Sequence, residues 1–437
     1  MKKLKSTVFS IGAILLLTAC NSNSTPSVKP ESPFKLIDPE DTSMLTENCK
    51  AYIDAMREQE KSLEEQYKYS DLGGEDGVNI DEEKVADDDR LYLDTGDVNG
   101  KNQTGSQIPD RSDKNMGIDL KFTVKEGHEA EEYKVLVSKS KDMSDAKEYT
   151  TDGNKVNVQN LFVNTEYYWQ VVAGNEESEI GSFTTGDYPR WITCRSLTGE
   201  EGGRGIYNVR DMGGYMTDSG KRVKQGLVYR GGEITTMSSS GHYNTITEVA
   251  KKAFREDMGM VGGIELDLRG ASDISDGYKA CGFAEDDDIK YVQHAIKSYE
   301  ETFTKTRSEV APIFDILANA DNEPVYYHCF GGADRTGTIG FLLNGLLGVS
   351  YSDLVIDFEL TSYSSINNEH IRCHIPGHQH SYDRWPALIN QLMSDTTGGY
   401  AWDDSKLLKE NIREFLLKAC SVNKDSIEKI ETIMLED

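Results

Sequence analysis

Positive charge is what this 437-residue chain has least of: 47 Lys and Arg stand against 75 Asp and Glu, a formal net charge of −28. A deficit of that size excludes a nucleic-acid binder, which works by clustering Lys and Arg to displace counterions from phosphates. It equally disfavours adsorption to anionic lipid headgroups. Long apolar runs are also lacking, and the one at the N-terminus, Val8 to Leu17, is too short to span a bilayer comfortably. Cysteines are few and scattered: Cys20, Cys49, Cys194, Cys281, Cys329, Cys373 and Cys420 show no repeated short spacing, so neither a disulfide framework nor a zinc knuckle is expected. The informative question is which of them is reactive. At about 100–200 residues per domain, the length leaves room for two or three domains.

The N-terminus has a basic start (Met1-Lys-Lys-Leu-Lys5), the apolar run and then Leu17-Thr-Ala-Cys20, the order of a processing signal. Leu-Thr-Ala-Cys resembles the lipobox of bacterial lipoproteins. That resemblance implies lipidation of Cys20, a leader over residues 1–20, and a protein lipid-anchored to the cell membrane on its extracytoplasmic face. Loss of Lys2, Lys3 and Lys5 with the leader would take the charge from −28 to −31. Residues 21–89 are predicted to be a flexible tether with a surface helix. Residues 21–33 are rich in Ser, Asn and Pro, Tyr52, Ile53, Met56 and Leu63 recur among charges between Thr42 and Tyr69, and Asp71 to Asp89 is acidic. The run from Asp94 to Gly100 fails as a calcium loop, because Gly100 at position six puts Thr95 at position one and Ser106 at position twelve.

Residues 90–187 change to short alternating runs between turn clusters: Leu91 to Leu93, Ile118 to Val124, Tyr133 to Val137, Val156 to Val158, Tyr167 to Val172 and Ile180 to Phe183. Period-two strands at this spacing predict a β-sandwich. The segment Leu161-Phe-Val-Asn-Thr-Glu-Tyr167-Tyr-Trp169 resembles the tyrosine-corner region of fibronectin type III domains, which implies a spacer or a protein-partner surface. Residues 188–437 read as α/β, with buried strands at Gly263 to Leu268 and Pro324 to His328. An apolar helix follows from Thr338 to Leu347, and amphipathic helices from Leu407 to Ala419 and from Ile427 to Leu435.

The chemistry concentrates in His328-Cys329-Phe330-Gly331-Gly332-Ala333-Asp334-Arg335-Thr336-Gly337. A strand–loop–helix junction aims backbone N–H groups and a helix N-terminus at one point, which makes an anion site. The same positive end favours a thiolate at Cys329 over a thiol. Arg335 can fold back and grip two phosphate oxygens through a planar fork that Lys lacks. Gly331 and Gly332 permit the tight turn.

Cys, five residues, Arg and Thr resemble the signature loop of cysteine-based protein tyrosine phosphatases. Asn208-Val-Arg210-Asp211-Met-Gly213-Gly214, Leu227-Val-Tyr229-Arg230-Gly-Gly-Glu233, Asp267-Leu268-Arg269 and Asp357-Phe-Glu-Leu-Thr-Ser362 follow the bacterial atypical dual-specificity (tyrosine/serine) phosphatases in the right order. The resemblance implies an α/β cysteine-phosphatase fold, a central mostly parallel sheet flanked by helices, behind an N-terminal all-β fibronectin type III-like sandwich. It implies hydrolysis of phosphotyrosine, and of phosphoserine or phosphothreonine, on a phosphorylated protein or peptide, with no cofactor. Cys329 is then the nucleophile, Arg335 the clamp, Thr336 a hydrogen-bond donor to the leaving sulfur, and Phe330, Gly331, Gly332, Ala333 and Asp334 line the phosphate. Asp334 is the candidate general acid, with Asp211, Asp267 and Asp357 as alternatives. Arg210, Arg230 and Arg269 are read as loop braces.

Relatives often carry a Lys within the loop, and its absence here weighs against a phosphoinositide or inositol phosphate phosphatase. The third alternative is a non-catalytic, phosphate-capturing adhesive lipoprotein. His370, His374, His378 and His380, with Cys373 among them, invite a metal reading. Pro376 and Gly377 break the helix it would need, so no metal is expected and a flap including Tyr382 and Trp385 is preferred. Phe330, Tyr229 and that flap are the candidate aromatic walls for a phosphotyrosine ring. Because every candidate catalytic residue follows Tyr188, removal of residues 21–187 is expected to leave turnover of a small aryl phosphate unchanged.

Overall fold

Strict alternation of apolar and polar residues builds the first part of the fold. A computed structural model describes residues 31–58, 115–194, 205–234, 247–270, 273, 289–364 and 384–436. Cys20, Leu91 to Leu93, the Asp94 to Gly100 run, Cys281, the His370 to His380 cluster and Tyr382 lie outside them. Strands β1 (Phe34–Ile37), β2 (Ile118–Val124) and β5 (Lys155–Val158) form one antiparallel sheet in the order β1-β2-β5. A second antiparallel sheet contains β3 (Tyr133–Ser138), β4 (Lys147–Thr151), β6 (Glu166–Ala173) and β7 (Glu176–Glu177) in the order β4-β3-β6-β7. There β8 (Gly181–Thr184) also pairs with β6. Ile118, Leu120 and Phe122 of the first sheet share one apolar cluster with Tyr133, Val135, Tyr167, Trp169 and Val171 of the second. The period of two is what puts them on one face.

The second part is an α/β sheet in the order β12-β11-β13-β10-β9, where β9 (Arg210–Asp211) is antiparallel to β10 (Val228–Gly231). Strands β11 (Ile264–Asp267), β12 (Lys290–Gln293) and β13 (Val325–His328) are parallel to one another and to β10. β10, β11 and β13 are buried at every position, as parallel strands covered on both faces must be. Helices α2 (Glu248–Lys252), α3 (Glu300–Lys305) and α4 (Val310–Leu317) lie in the connections between strands. Helix α5 (Asp334–Leu347) follows β13, is buried from Thr336 to Leu347, and stops at Gly348, whose φ of 82° is the left-handed cap conformation. Then come α6 (Tyr351–Glu359), α7 (Arg384–Ser394), in which Trp385 is the second residue, α8 (Leu408–Glu414) and α9 (Lys424–Ile433). Among the described residues no helix is long and apolar enough to cross a membrane.

The expectation of a mere tether and surface helix over residues 21–89 is overturned in its described portion. Phe34–Ile37 is the edge strand β1, and the helix α1 (Glu47–Glu58) is buried along one side. Cys49, Tyr52, Ile53 and Met56 belong to the same apolar core as β13 and α5. The Tyr52 ring lies 5.6 Å from that of Tyr363, and Arg57 Nε donates to Asp353 at 2.9 Å. The apolar residues among charges mark a face that meets α6, nearly three hundred positions away, instead of water.

Nor is the β-sheet part an independent spacer. Arg190, fully buried, donates to Leu161 O at 3.1 Å, Asn160 O at 2.8 Å and Asp257 O at 3.0 Å while pairing with Asp211 at 2.7 Å. Val163 and Gln225 exchange hydrogen bonds of 2.8 and 3.0 Å. A chain beginning at residue 188 would keep the Arg190–Asp211 pair but lose the Leu161 and Asn160 carbonyls that Arg190 donates to, at about 1–3 kcal/mol for a buried donor left unmet, and burial of Ile53 and Met56 contributes a further ~1.5–3 kcal/mol each. Domains are stable by only about 5–15 kcal/mol. A chain beginning at residue 188 is therefore expected to lose cooperative thermal unfolding in calorimetry. A sharp transition with full turnover would restore the spacer reading.

Candidate active site

The parallel register lines up Gly231, Asp267 and His328 at one level, the C-terminal edge of the sheet. Cys329 follows directly, and Cys329–Ala333 forms the crossing to α5. Ligands of open α/β sheets bind at this edge, outside the carboxyl ends of the strands.

The loop carbonyls are held from behind. Leu268 N donates to His328 O at 2.9 Å, the His328 ring to Cys329 O at 3.0 Å, and Glu233 N to Phe330 O at 3.0 Å. Asn208 Nδ2 reaches Gly331 O at 3.1 Å and Gly332 O at 3.2 Å, and Arg230 Nη2 reaches Gly332 O at 2.8 Å. A trans peptide points its N–H opposite its C=O, so anchoring successive carbonyls on the protein side turns the amides toward the opposite side, where an anion fits. Gly332 has φ of +69°, and a Cβ there would lie 2.4 Å from Gly231 C; the loop closes only with glycine at that position.

Braces in turn are braced. Asp357 of α6 pairs with Arg230, accepts from Arg210 Nε at 3.4 Å and offers its carbonyl to Arg210 Nη2 at 2.8 Å. Arg210 also donates to Asn208 Oδ1, and Asn208 is held at a φ of 59°. Arg269 pairs with Asp267 at 2.7 Å and Glu233 at 2.6 Å. The three arginines read as braces thus touch the loop directly, through Asn208, or through Glu233.

Cys329 is only 3% exposed. The adjoining His328 ring faces two acceptors, Cys329 O and Glu265 Oε1 at 3.1 Å, an arrangement that suits the doubly protonated ring. Burial works against that charge, but the Asp267 and Glu265 carboxylates outweigh it and raise the pKa above its ordinary value. Arg335 stands at the rim with one Nη1 donor committed to Asp273 at 2.5 Å. Burial opposes its charge, while Cys329 and Asp273 favour it more strongly.

Of the four aspartates considered as proton donor, Asp211, Asp267 and Asp357 are buried and paired to Arg190, Arg269 and Arg230. Asp334 is half-buried at the start of α5 and accepts from the Tyr299 hydroxyl. Phe330 is 42% exposed at the mouth, whereas Gly331, Gly332 and Ala333 are buried. Thr336 Oγ1 is buried without a hydrogen-bond partner among the described residues. One expectation fails. Tyr229 is no substrate wall: it is buried in a cluster with Phe254 and Tyr326, behind the strand. Sequence reasoning assigns no role to Asp273, Tyr299, Glu233 or Thr361. Glu233 and Thr361 lie inside family-like motifs that could have flagged them, whereas Asp273 and Tyr299 carry no local signal.

A cysteine and an arginine on one anion loop, at the carboxyl edge of a parallel sheet, define a cysteine-based phosphatase. The chain belongs to the tyrosine phosphatase family, which residues 203–436 match. Among solved structures it is similar to the core catalytic domain of the PP-IP phosphatase SIW14 from S. cerevisiae in complex with citrate. Identity is 15% over 32% of this chain and 73% of that one, with a TM-score of 0.23. No curated protein matches the chain.

Proposed function

We propose that the chain is a cell-surface lipoprotein that hydrolyses phosphotyrosine monoesters on proteins or peptides, with phosphoserine and phosphothreonine as secondary substrates. The observation that carries it is the loop Cys329–Ala333, its carbonyls tied down outside and Arg335 at its rim. The Cys329 thiolate attacks phosphorus, the P–O bond to the side chain breaks, and Asp334 hands its proton to the departing oxygen. Water then cleaves the cysteinyl phosphate with Asp334 as base, freeing phosphate and the thiolate. Thr336, whose hydroxyl has no partner among the described residues, donates to the sulfur as it leaves, and Phe330 flanks the aromatic ring.

Membrane attachment through Cys20 completes this reading, with the two antiparallel sheets as a fibronectin type III-like domain in front of the catalytic unit. Supporting that assignment, Phe162 N donates to the Tyr167 hydroxyl at 3.0 Å, the bond of a tyrosine corner.

The competing substrate class is phosphoinositides and inositol phosphates. Against it stand two carboxylates, Asp273 and Asp334, beside a loop in which Arg335 is the sole Lys or Arg. Each further phosphate adds repulsion for which the loop itself supplies no second cation. Catalytic efficiency is expected to be at least about tenfold higher for phosphotyrosine peptides than for a highly phosphorylated inositol at matched ionic strength. The reverse order would move the assignment to the inositol class.

A further inference from the structure

Helix α1 precedes the family-matched region by almost 150 residues, yet it ends up against the turn that supports the phosphate loop. Its Tyr52 hydroxyl donates to Glu359, the last residue of α6, and its ring packs on Tyr363. Both Tyr52 and Glu359 are buried. Between Glu359 and Tyr363 lies Thr361, also buried, whose Oγ1 accepts from Asn208 Nδ2 at 3.1 Å. That same nitrogen holds the Gly331 and Gly332 carbonyls. Arg57, one and a half turns further along α1, ties Asp353 of α6 at 2.9 Å and the Asp187 carbonyl at 2.6 Å. The path from Tyr52 to the loop is thus Glu359 and Tyr363, then Thr361, then Asn208. Each link is a contact between buried groups, where small displacements are not absorbed by solvent.

We propose that Tyr52 is a positioning residue for the Cys329–Ala333 loop, clamping the turn from Glu359 to Tyr363 so that Thr361 and Asn208 keep the loop amides aimed at the substrate phosphate. Helix α1 is then a built-in activating segment of the phosphatase. The proposal rests on the reading that this loop hydrolyses phosphate esters. A hydrogen bond from a tyrosine to a carboxylate on another element could serve stability alone, but the position of this one, on either side of the residue that meets Asn208, ties it to the loop.

The test uses the full chain, para-nitrophenyl phosphate and orthovanadate. Tyr52→Phe keeps the ring on Tyr363 and removes the donor. It is expected to lower kcat about fivefold to tenfold with KM within about twofold, because amides that are misaimed lose contacts made in the transition state. Orthovanadate affinity, measured by calorimetry, should fall by the same factor, since vanadate mimics that state. The double variant Tyr52→Phe with Glu359→Leu replaces both members of this hydrogen bond, and kcat and vanadate affinity are expected to stay low. It also supplies the measurement if the single variant does not fold. Wild-type kcat and vanadate affinity in either folded variant would overturn the proposal. Absence of turnover by the unmodified chain would instead sink the phosphatase reading, and vanadate binding would still decide the role of Tyr52.

Discussion

Cys329→Ser is expected to reduce turnover of phosphotyrosine peptides by at least about four orders of magnitude, the scale seen when a covalent nucleophile is removed. A serine hydroxyl is a far weaker acid than a thiol and a poorer nucleophile toward phosphorus near neutral pH. Phosphate binding should survive. The bonds that orient the loop run to backbone carbonyls from Asn208, Arg230 and Glu233, and the substitution touches none of them. Calorimetric titration with inorganic phosphate, alongside a steady-state assay, separates the two properties. Acid quenching of the unmodified enzyme during turnover should trap phosphate on Cys329. Comparable hydrolysis by the serine variant would eliminate the covalent route.

Arg335→Lys is expected to cost about 10²–10³ in kcat, the range for losing a preorganised donor to developing oxyanion charge. The charge is kept, so a purely electrostatic role would predict a small effect. The planar fork is lost, and with it the paired contact to two oxygens. Asp273 sharpens this expectation. In the native site one Nη1 donor is held by that carboxylate at 2.5 Å, which fixes the guanidinium while leaving further N–H groups of the fork for the substrate. An ammonium paired to Asp273 would have no second arm at a fixed angle to offer. Near-normal kcat in the lysine variant would show that Arg335 supplies charge and not geometry.

Much of the fold and of the loop is legible in the amino-acid sequence. Ile118 to Val124 coincides with β2 because one face of that strand is buried and the other wet, which writes a period of two into the residues. Strand β4 escapes such a reading for the converse reason: Lys147–Thr151 is exposed or half-exposed throughout, so no alternation has to be kept. Strand β1 is four residues long and follows a polar stretch that resembles a tether. The candidate phosphate loop is readable because its pattern is local. Cys329, the glycines, the helix start and Arg335 lie within seven consecutive positions, and the roles proposed for them follow from being neighbours in the chain.

Sequence alone thus determined the anion loop, the placing of Cys329 and Arg335 as its candidate nucleophile and clamp, the parallel sheet that presents them, and the acidity of the chain. Each of these depends on residue type and short-range spacing. Only the tertiary structure decided what lies behind the loop. Tyr229, an apparent substrate wall, faces a buried cluster; Asp211, Asp267 and Asp357 are consumed by buried arginines; Tyr299 and Asp273 come to the site from other connections. Helix α1 joined the core of the α/β part for the same reason. Which surface an amphipathic face will meet depends on how the whole chain packs, and spacing within the helix records only that some surface will be met.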